Sequence, residues 1–241
     1  MLQQAAVLVA AFLTGITGFG FNALALPVLA VTFEPHHAVV VGLLVGLLLF
    51  SLVFALPGVR GAIDMRLVRT LFMWSLPGLP LGALLLNWTD ARTLRLVIGA
   101  LTFGYASVQL LGRLPFKTMT RRAAPVVGLL SGVLSSSVSL GGTPVMLFLI
   151  GLGGGTPRSL RATAVAYVVL TTVASLTILF FGTAYVTMEA LRDAVTLAPA
   201  ALVGLALGAV AFRYISASLF VRLSLIMLAA VGLFALIAAL R

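Results

Sequence analysis

Charge is confined to short connections in this sequence, and that distribution limits what the chain can fold into. Eight runs contain no Asp, Glu, Lys or Arg: residues 1–33, 38–59, 70–89, 96–112, 123–157, 162–188, 194–212 and 223–240. A helix that crosses a bilayer needs about 20 consecutive apolar residues. Only 8% of the 241 residues are charged and 62% are hydrophobic, whereas soluble domains carry roughly 25% charged residues. Too few charges exist to build a surface facing water. The chain therefore reads as an all-α integral membrane protein, with the lipid bilayer as the solvent for most of its surface. No polar connection is long enough to hold a soluble domain. Met1-Leu2-Gln3-Gln4 lacks the positive start of a secretory signal, so the first apolar run reads as part of the mature protein.

Runs 1–33 and 123–157 are too long for one straight span, and each is interrupted by small and polar residues. The first interruption is Thr14-Gly15-Ile16-Thr17-Gly18-Phe19-Gly20-Phe21-Asn22. The second is Ser131-Gly132 followed by Ser135-Ser136-Ser137-Val138-Ser139-Leu140-Gly141-Gly142-Thr143. Glycine weakens a helix and tolerates positive φ, and serine and asparagine offer the backbone competing partners. Both sites are predicted to break the helix.

The interruptions are related. Leu13-Thr14-Gly15-Ile16 aligns with Leu130-Ser131-Gly132-Val133, and Pro27-Val28-Leu29 with Pro144-Val145-Met146, at an offset of 117 residues. Three apolar runs follow each copy. The expected organisation is two four-element repeats joined by a basic linker. The first occupies 1–112, with a broken segment at 1–33 and helices near 36–57, 67–88 and 93–112. The linker is 113–123. The second repeat occupies 124–241, with a broken segment at 124–157 and helices near 160–183, 190–212 and 219–240.

Basic residues favour the cytoplasmic face of short loops. If all eight runs cross, Lys and Arg divide 9 to 6 between the faces. If 1–33 and 123–157 are re-entrant hairpins, the division is 11 to 4. The second arrangement segregates charge better. Each repeat then crosses an odd number of times, so the two are inverted, the plan of many secondary transporters.

A broken helix in a membrane is tolerated where its backbone is buried in protein or lines a wet cavity. A half-helix N-terminus presents unbonded N–H groups and partial positive charge. Two such ends form a trap for an anion without any full charge. The candidate substrate-binding residues are Thr14, Gly15, Thr17, Gly18, Gly20 and Asn22 in the first copy. In the second they are Ser135, Ser136, Ser137, Ser139, Gly141, Gly142 and Thr143. Hydroxyls and the amide supply donors, and the glycines allow close approach to the backbone.

Other chemistry finds little support. Glu34, Asp64, Asp90, Glu189 and Asp193 all fall in predicted loops, so no intramembrane carboxylate is offered for a cation path. His36 and His37 read as solvated turn residues. No metal cluster, nucleophile–base pair or phosphate loop is visible, cysteine is absent, and no cofactor is expected. The net charge of +10 sits in loops rather than in basic blocks, which argues against nucleic acid. The chain is not read as an enzyme, and nothing in the sequence excludes a homodimer.

The paired stretches Gly15-Ile-Thr-Gly18-Phe-Gly20-Phe-Asn-Ala-Leu-Ala-Leu-Pro27 and Gly132-Val-Leu-Ser-Ser-Ser-Val-Ser-Leu-Gly141-Gly142-Thr-Pro144 resemble the signatures of the TauE/SafE sulfite exporter family. The second copy departs from the pattern in carrying Ser135-Ser136-Ser137 where glycines are more usual. The resemblance implies a multi-pass permease of the bacterial inner membrane. Its expected cargo is a small sulfur-containing anion such as sulfite or an organosulfonate, usually exported and held by these Gly/Ser/Asn stretches. The competing expectations are a non-transporting membrane scaffold and a carrier of another small solute on the same fold.

Overall fold

The computed structural model describes residues 1–17, 20–56, 59–110, 119–152 and 156–211, with 229, 233 and 237 beyond them. The predicted helix near 219–240 falls almost wholly outside the described residues, as does much of the basic linker. The elements, in chain order, are α1 (Leu2–Thr17), α2 (Phe21–Thr32), α3 (Pro35–Ala55), a 3₁₀ turn (Arg60–Ala62), α4 (Met65–Trp88) and α5 (Ala91–Leu110). A second 3₁₀ turn (Arg121–Ala123), α6 (Ala124–Val138), α7 (Gly142–Leu152), α8 (Pro157–Gly182) and α9 (Met188–Ala211) follow. All regular structure among the described residues is helical, as hydrocarbon demands of an open chain that must satisfy its own backbone.

Among the described residues, four helices are long and apolar enough to cross a bilayer: Pro35–Ala55, Met65–Trp88, Arg158–Gly182 and Met188–Ala211. Both predicted interruptions are present. The pieces α1, α2, α6 and α7 contain 16, 12, 15 and 11 residues. At 1.5 Å per residue they are roughly 16–24 Å long, short of the hydrocarbon thickness of about 30 Å.

The loop acids start helices. Asp64 accepts from Leu67 N at 3.0 Å and opens α4. Asp90 accepts from Thr93 N at 3.0 Å and opens α5. Glu34 accepts from His37 N at 3.2 Å and opens α3. Each satisfies an N–H that the helix leaves without a partner. The bonds also hold the carboxylates charged. For Asp90, the Thr93 hydroxyl and then its N–H keep the carboxyl below the usual range. For Asp64, partial burial opposes the charge, but the Leu67 N–H and the Arg121 guanidinium outweigh it and the net shift is downward. Thr156 caps α8 in the same way, accepting from Ser159 N at 3.2 Å, with Pro157 in the first helical position.

The chain divides into two compact units, Met1–Val45 with Thr89–Arg113 and Thr187–Arg241, and Gly46–Trp88 with Leu114–Val186. Each unit draws on both the N-terminal and the C-terminal half of the chain. In the first, α1 packs along α9 and against α2, which in turn meets α5. In the second, α4 packs along α6, and α8 contacts α4, α6 and α7.

Glycine makes the principal contact in each unit. A Cβ placed on Gly208 would lie 2.1 Å from Phe12 O, one on Gly204 2.3 Å from Leu8 O, and one on Gly15 2.5 Å from Leu205 O. In the second unit a Cβ on Gly78 would lie 2.3 Å from Leu129 O, one on Gly82 2.2 Å from Val133 O, and one on Gly132 2.3 Å from Ser75 O. These helices touch backbone to backbone, which side chains of any size forbid. Hydrophobic segregation gives no drive for association inside lipid, so close van der Waals approach supplies it. The same contact is thus built twice, each time between the first piece of an interrupted segment and a spanning helix from the other half of the chain.

Two stability tests follow from this packing. Gly78→Val pushes a side chain into Leu129 and lowers the thermal midpoint of the purified protein in detergent, a cost of roughly 1–3 kcal/mol. Gly104→Ala, in α5 with nothing within 4 Å of the added carbon, leaves the midpoint unchanged or slightly raised. Asp64→Ala costs about 1 kcal/mol through loss of the cap. Because the carboxyl is held below its usual range, its contribution is complete above that range and is lost as pH falls through it. The gap between wild type and Asp64→Ala therefore narrows on acidification.

Candidate functional site

The two interruptions lie in different units and are built differently. In the first unit, α1 ends at Thr17 and α2 begins at Phe21. Gly20 is the N-cap residue with φ 89° and ψ 6°, the left-handed region where glycine is at home, and it offers α2 no side-chain cap. Asn22, the second residue of α2, lies against Gly42 of α3, whose added Cβ would sit 3.2 Å from the Asn22 Oδ1. A side chain at 42 would press on that amide and require it to shift slightly. Thr14 and Gly15 lie before the break, inside α1. Thr14 is fully buried and donates to Ala10 O at 2.8 Å, while Gly15 faces the α9 backbone. Thr17 is the last residue of α1, and Gly18 lies outside the described residues.

In the second unit, α6 ends on Ser139, which takes φ 55° and ψ 21°. Helices commonly end on a left-handed residue, usually glycine, and serine there costs about 1 kcal/mol. Ser139 N donates to Ser135 O at 3.1 Å and Leu140 N to Leu134 O at 3.0 Å, which closes the end of the helix. Gly141 follows so tightly that an added Cβ would sit 2.6 Å from the Ser135 Cβ. Gly142 opens α7, and Thr143 N donates back to Leu140 O at 3.1 Å.

A buried hydroxyl network surrounds this second break. Tyr167, completely buried on α8, donates to Ser131 Oγ at 2.7 Å, and Ser131 Oγ donates to the Gly141 carbonyl. The Ser135 and Ser175 hydroxyls are 2.9 Å apart, and Ser136 donates to Ser175 at 3.2 Å. Ser137 bonds back to Val133 O at 2.7 Å. The network holds the broken backbone through side chains of α6 and α8, so the interruption is satisfied by protein rather than by lipid-facing groups.

Four second-copy candidates, Ser135, Ser136, Ser139 and Gly141, are thus gathered within one buried neighbourhood. Sequence reasoning did not single out Ser175. Its signal was present, since Tyr167, Thr171 and Ser175 repeat every four residues and so share one face of α8.

Two open surface cavities among the described residues are lined by residues other than these candidates. An open cavity of about 440 Å³ in the second unit is bordered instead by Asp64, Met119, Thr120, Arg121, Ser159 and Thr163, among others. Arg121 and Asp64 pair across its rim at 2.6 Å.

His36 and His37 depart from the expectation of solvated turn residues. His36 is buried, with its ring between Glu34 and the Thr89 carbonyl, 2.9 Å from the latter. His37 Nε2 lies 2.7 Å from Asp193 Oδ2. Adjacency in sequence to Glu34 was visible, but the partners at 89 and 193 are brought by tertiary packing.

Helices of spanning length combined with two interrupted segments fit a multi-pass membrane protein. A family model described as sulfite exporter TauE/SafE matches residues 4–235. The chain belongs to this family of membrane transporters, and it is not a family of enzymes. Neither the curated proteins nor the solved structures gave a match to the chain.

The left-handed serine generates a test of the second break. Ser139→Gly raises the thermal midpoint in detergent by an amount equivalent to roughly 1 kcal/mol or less. Ser139→Val, branched at Cβ, lowers it. Equal midpoints for the three proteins would show that residue 139 carries no backbone strain.

Proposed function

We propose that this protein exports a small sulfur-containing anion, sulfite or an organosulfonate, across a bacterial inner membrane. Donors of the interrupted segments bind the anion near the bilayer midplane by this reading, and it moves by alternating access. The observation that carries this reading is the pair of matched helix breaks, furnished with small residues, amide donors and buried hydroxyls. The residues described at those breaks carry no acidic or basic side chain. Donors without a formal charge fit an anion that must be released as well as bound.

Two hydrogen bonds support the re-entrant topology. His37 meets Asp193, and Asp64 N donates to Thr163 Oγ1 at 3.0 Å. If every apolar run crossed, residues 37 and 193 would fall on opposite faces, and so would 64 and 163. If both interrupted segments enter and return on one side, each pair shares a face. The two repeats are then inverted, the basic loops lie inside, and residues 34–37, 89–95 and 183–193 lie outside. An interior-negative potential favours outward movement by about 2.3 kcal/mol per charge per 100 mV, so a dianion leaves with roughly twice that and needs no coupled ion.

Proteoliposomes loaded with sulfite, an alkanesulfonate or chloride, under an imposed potential, test the reading. Sulfite and sulfonate efflux should rise with interior-negative potential and exceed that of chloride. Asn22→Leu and Ser135→Ala should abolish it while leaving the protein folded, with the midpoint of Ser135→Ala lowered by the equivalent of about 1–3 kcal/mol. Undiminished flux in both variants would place the site elsewhere, and flux indifferent to potential would rule out uncoupled anion movement.

A further inference from the structure

The ring of His36 is enclosed by two groups that can only accept. Nδ1 faces Glu34 Oε1 and Nε2 faces the Thr89 carbonyl oxygen at 2.9 Å. Its side chain is 9% exposed, so water does not replace either partner. A neutral imidazole has one N–H and one lone pair, whichever tautomer it adopts. Only the imidazolium, with a proton on each nitrogen, satisfies both contacts. Its counter-charge is at hand. Burial disfavours the Glu34 carboxylate, but the bonds from His36 and from the His37 N–H outweigh this and hold it below the usual range.

His37 extends the cluster. Its backbone N–H donates to the other Glu34 oxygen at 3.2 Å, and its Nε2 lies 2.7 Å from Asp193 Oδ2 on α9. Its ring centroid is 5.3 Å from that of Phe33. A neutral His37 can still donate to Asp193, so His36 is the group whose contacts demand the extra proton. The remaining charged groups on the packed elements are Asp90, Arg92 and Arg95 around the start of α5, and Glu189 and Arg192 on α9. Asp90 is occupied with Thr93. Arg95 Nε donates to Ala30 O at 3.0 Å, near the end of α2. Arg92, Glu189 and Arg192 are exposed.

The position of the cluster gives it leverage. Glu34 follows the last residue of α2 by two, and α2 is the half-helix that begins at the Gly20 break. Whatever holds residues 34–37 to Thr89 and Asp193 holds the far end of α2.

We propose that Glu34, His36, His37 and Asp193 form an external proton-binding site that latches the end of α2 when protonated and frees it as the outside becomes alkaline, so that anion passage responds to external pH. Its placement outside rests on the re-entrant topology proposed above. The chemistry balances simply: one proton leaves the His36 imidazolium to external water. One ring nitrogen then turns a lone pair toward an oxygen, and one of the two contacts is lost. Protonated, the latch favours the arrangement described here. Raising the pH removes that preference.

Two measurements test it. The first uses full-length protein in lipid nanodiscs with ¹⁵N-labelled histidine. Spectra taken across about pH 5 to about 8 should show both ring nitrogens of His36 protonated while the latch is closed, and loss of one together with severalfold faster amide exchange near residues 28–32 as it opens. The second measures alkanesulfonate flux in proteoliposomes, because a sulfonate keeps its charge across this span. Flux should rise severalfold with external pH at fixed internal pH, and His36→Gln should flatten the profile. A His36 ring with a single proton throughout, or a His36→Gln protein with the wild-type profile, overturns the proposal. If His36→Gln fails to fold, the labelled wild-type protein decides the matter. If no sulfonate moves at any pH, the cargo reading fails, and the histidine spectrum still judges the latch.

Discussion

A peptide N–H or C=O facing hydrocarbon has no water to bond, and leaving it unpaired costs several kcal/mol. A chain living in lipid can therefore break a helix only where the protein itself supplies the missing partners. At the second break those partners are visible one by one. The Gly141 carbonyl takes the Ser131 hydroxyl, which is held by Tyr167, and the end of α6 closes onto its own carbonyls. Buried serines in this region are thus anchored to one another and to the backbone before any ligand arrives.

The second constraint is contact distance. Gly204 and Gly208 on α9, like Gly78 and Gly82 on α4, are four residues apart, one helical turn. Each pair presents a groove of bare backbone to the first piece of an interrupted segment. That piece is too short to be anchored by spanning the membrane, and its grip on a full-length helix compensates. Glycine is therefore doing two separate jobs in the same motif. Gly15 and Gly132 permit helix packing, whereas Gly20 permits a left-handed turn at the break. A reading that assigned Gly15 and Gly20 alike to ligand contact merged these roles, because in sequence they are indistinguishable.

The acidic residues show the same economy. None is buried in a spanning run, yet Glu34, Asp64 and Asp90 each satisfy the opening turn of a helix at the membrane edge. Glu34 also holds the ring of His36, so a structural cap doubles as half of a titratable pair. The reading of His36 as an exposed turn residue was reasonable from its neighbours, Pro35 and Glu34. It failed because Thr89, 53 residues away, closes over the ring.

Composition and spacing alone determined that the chain lives in a bilayer, that its segments are helical, and that two of them break near Gly20 and Ser139. These are local matters: charge cannot be hidden from lipid without partners, and runs of Gly and Ser cannot sustain a long helix. The family was also legible, since its signature lies in those same breaks. Only the tertiary structure decided which glycines face a neighbouring backbone, which hydroxyls of α8 complete the second break, and which spanning helix each interrupted piece packs against. Those outcomes depend on contacts between residues such as Gly78 and Leu129 or Tyr167 and Ser131, whose separations in sequence carry no local signal, so they emerge only when the helices pack.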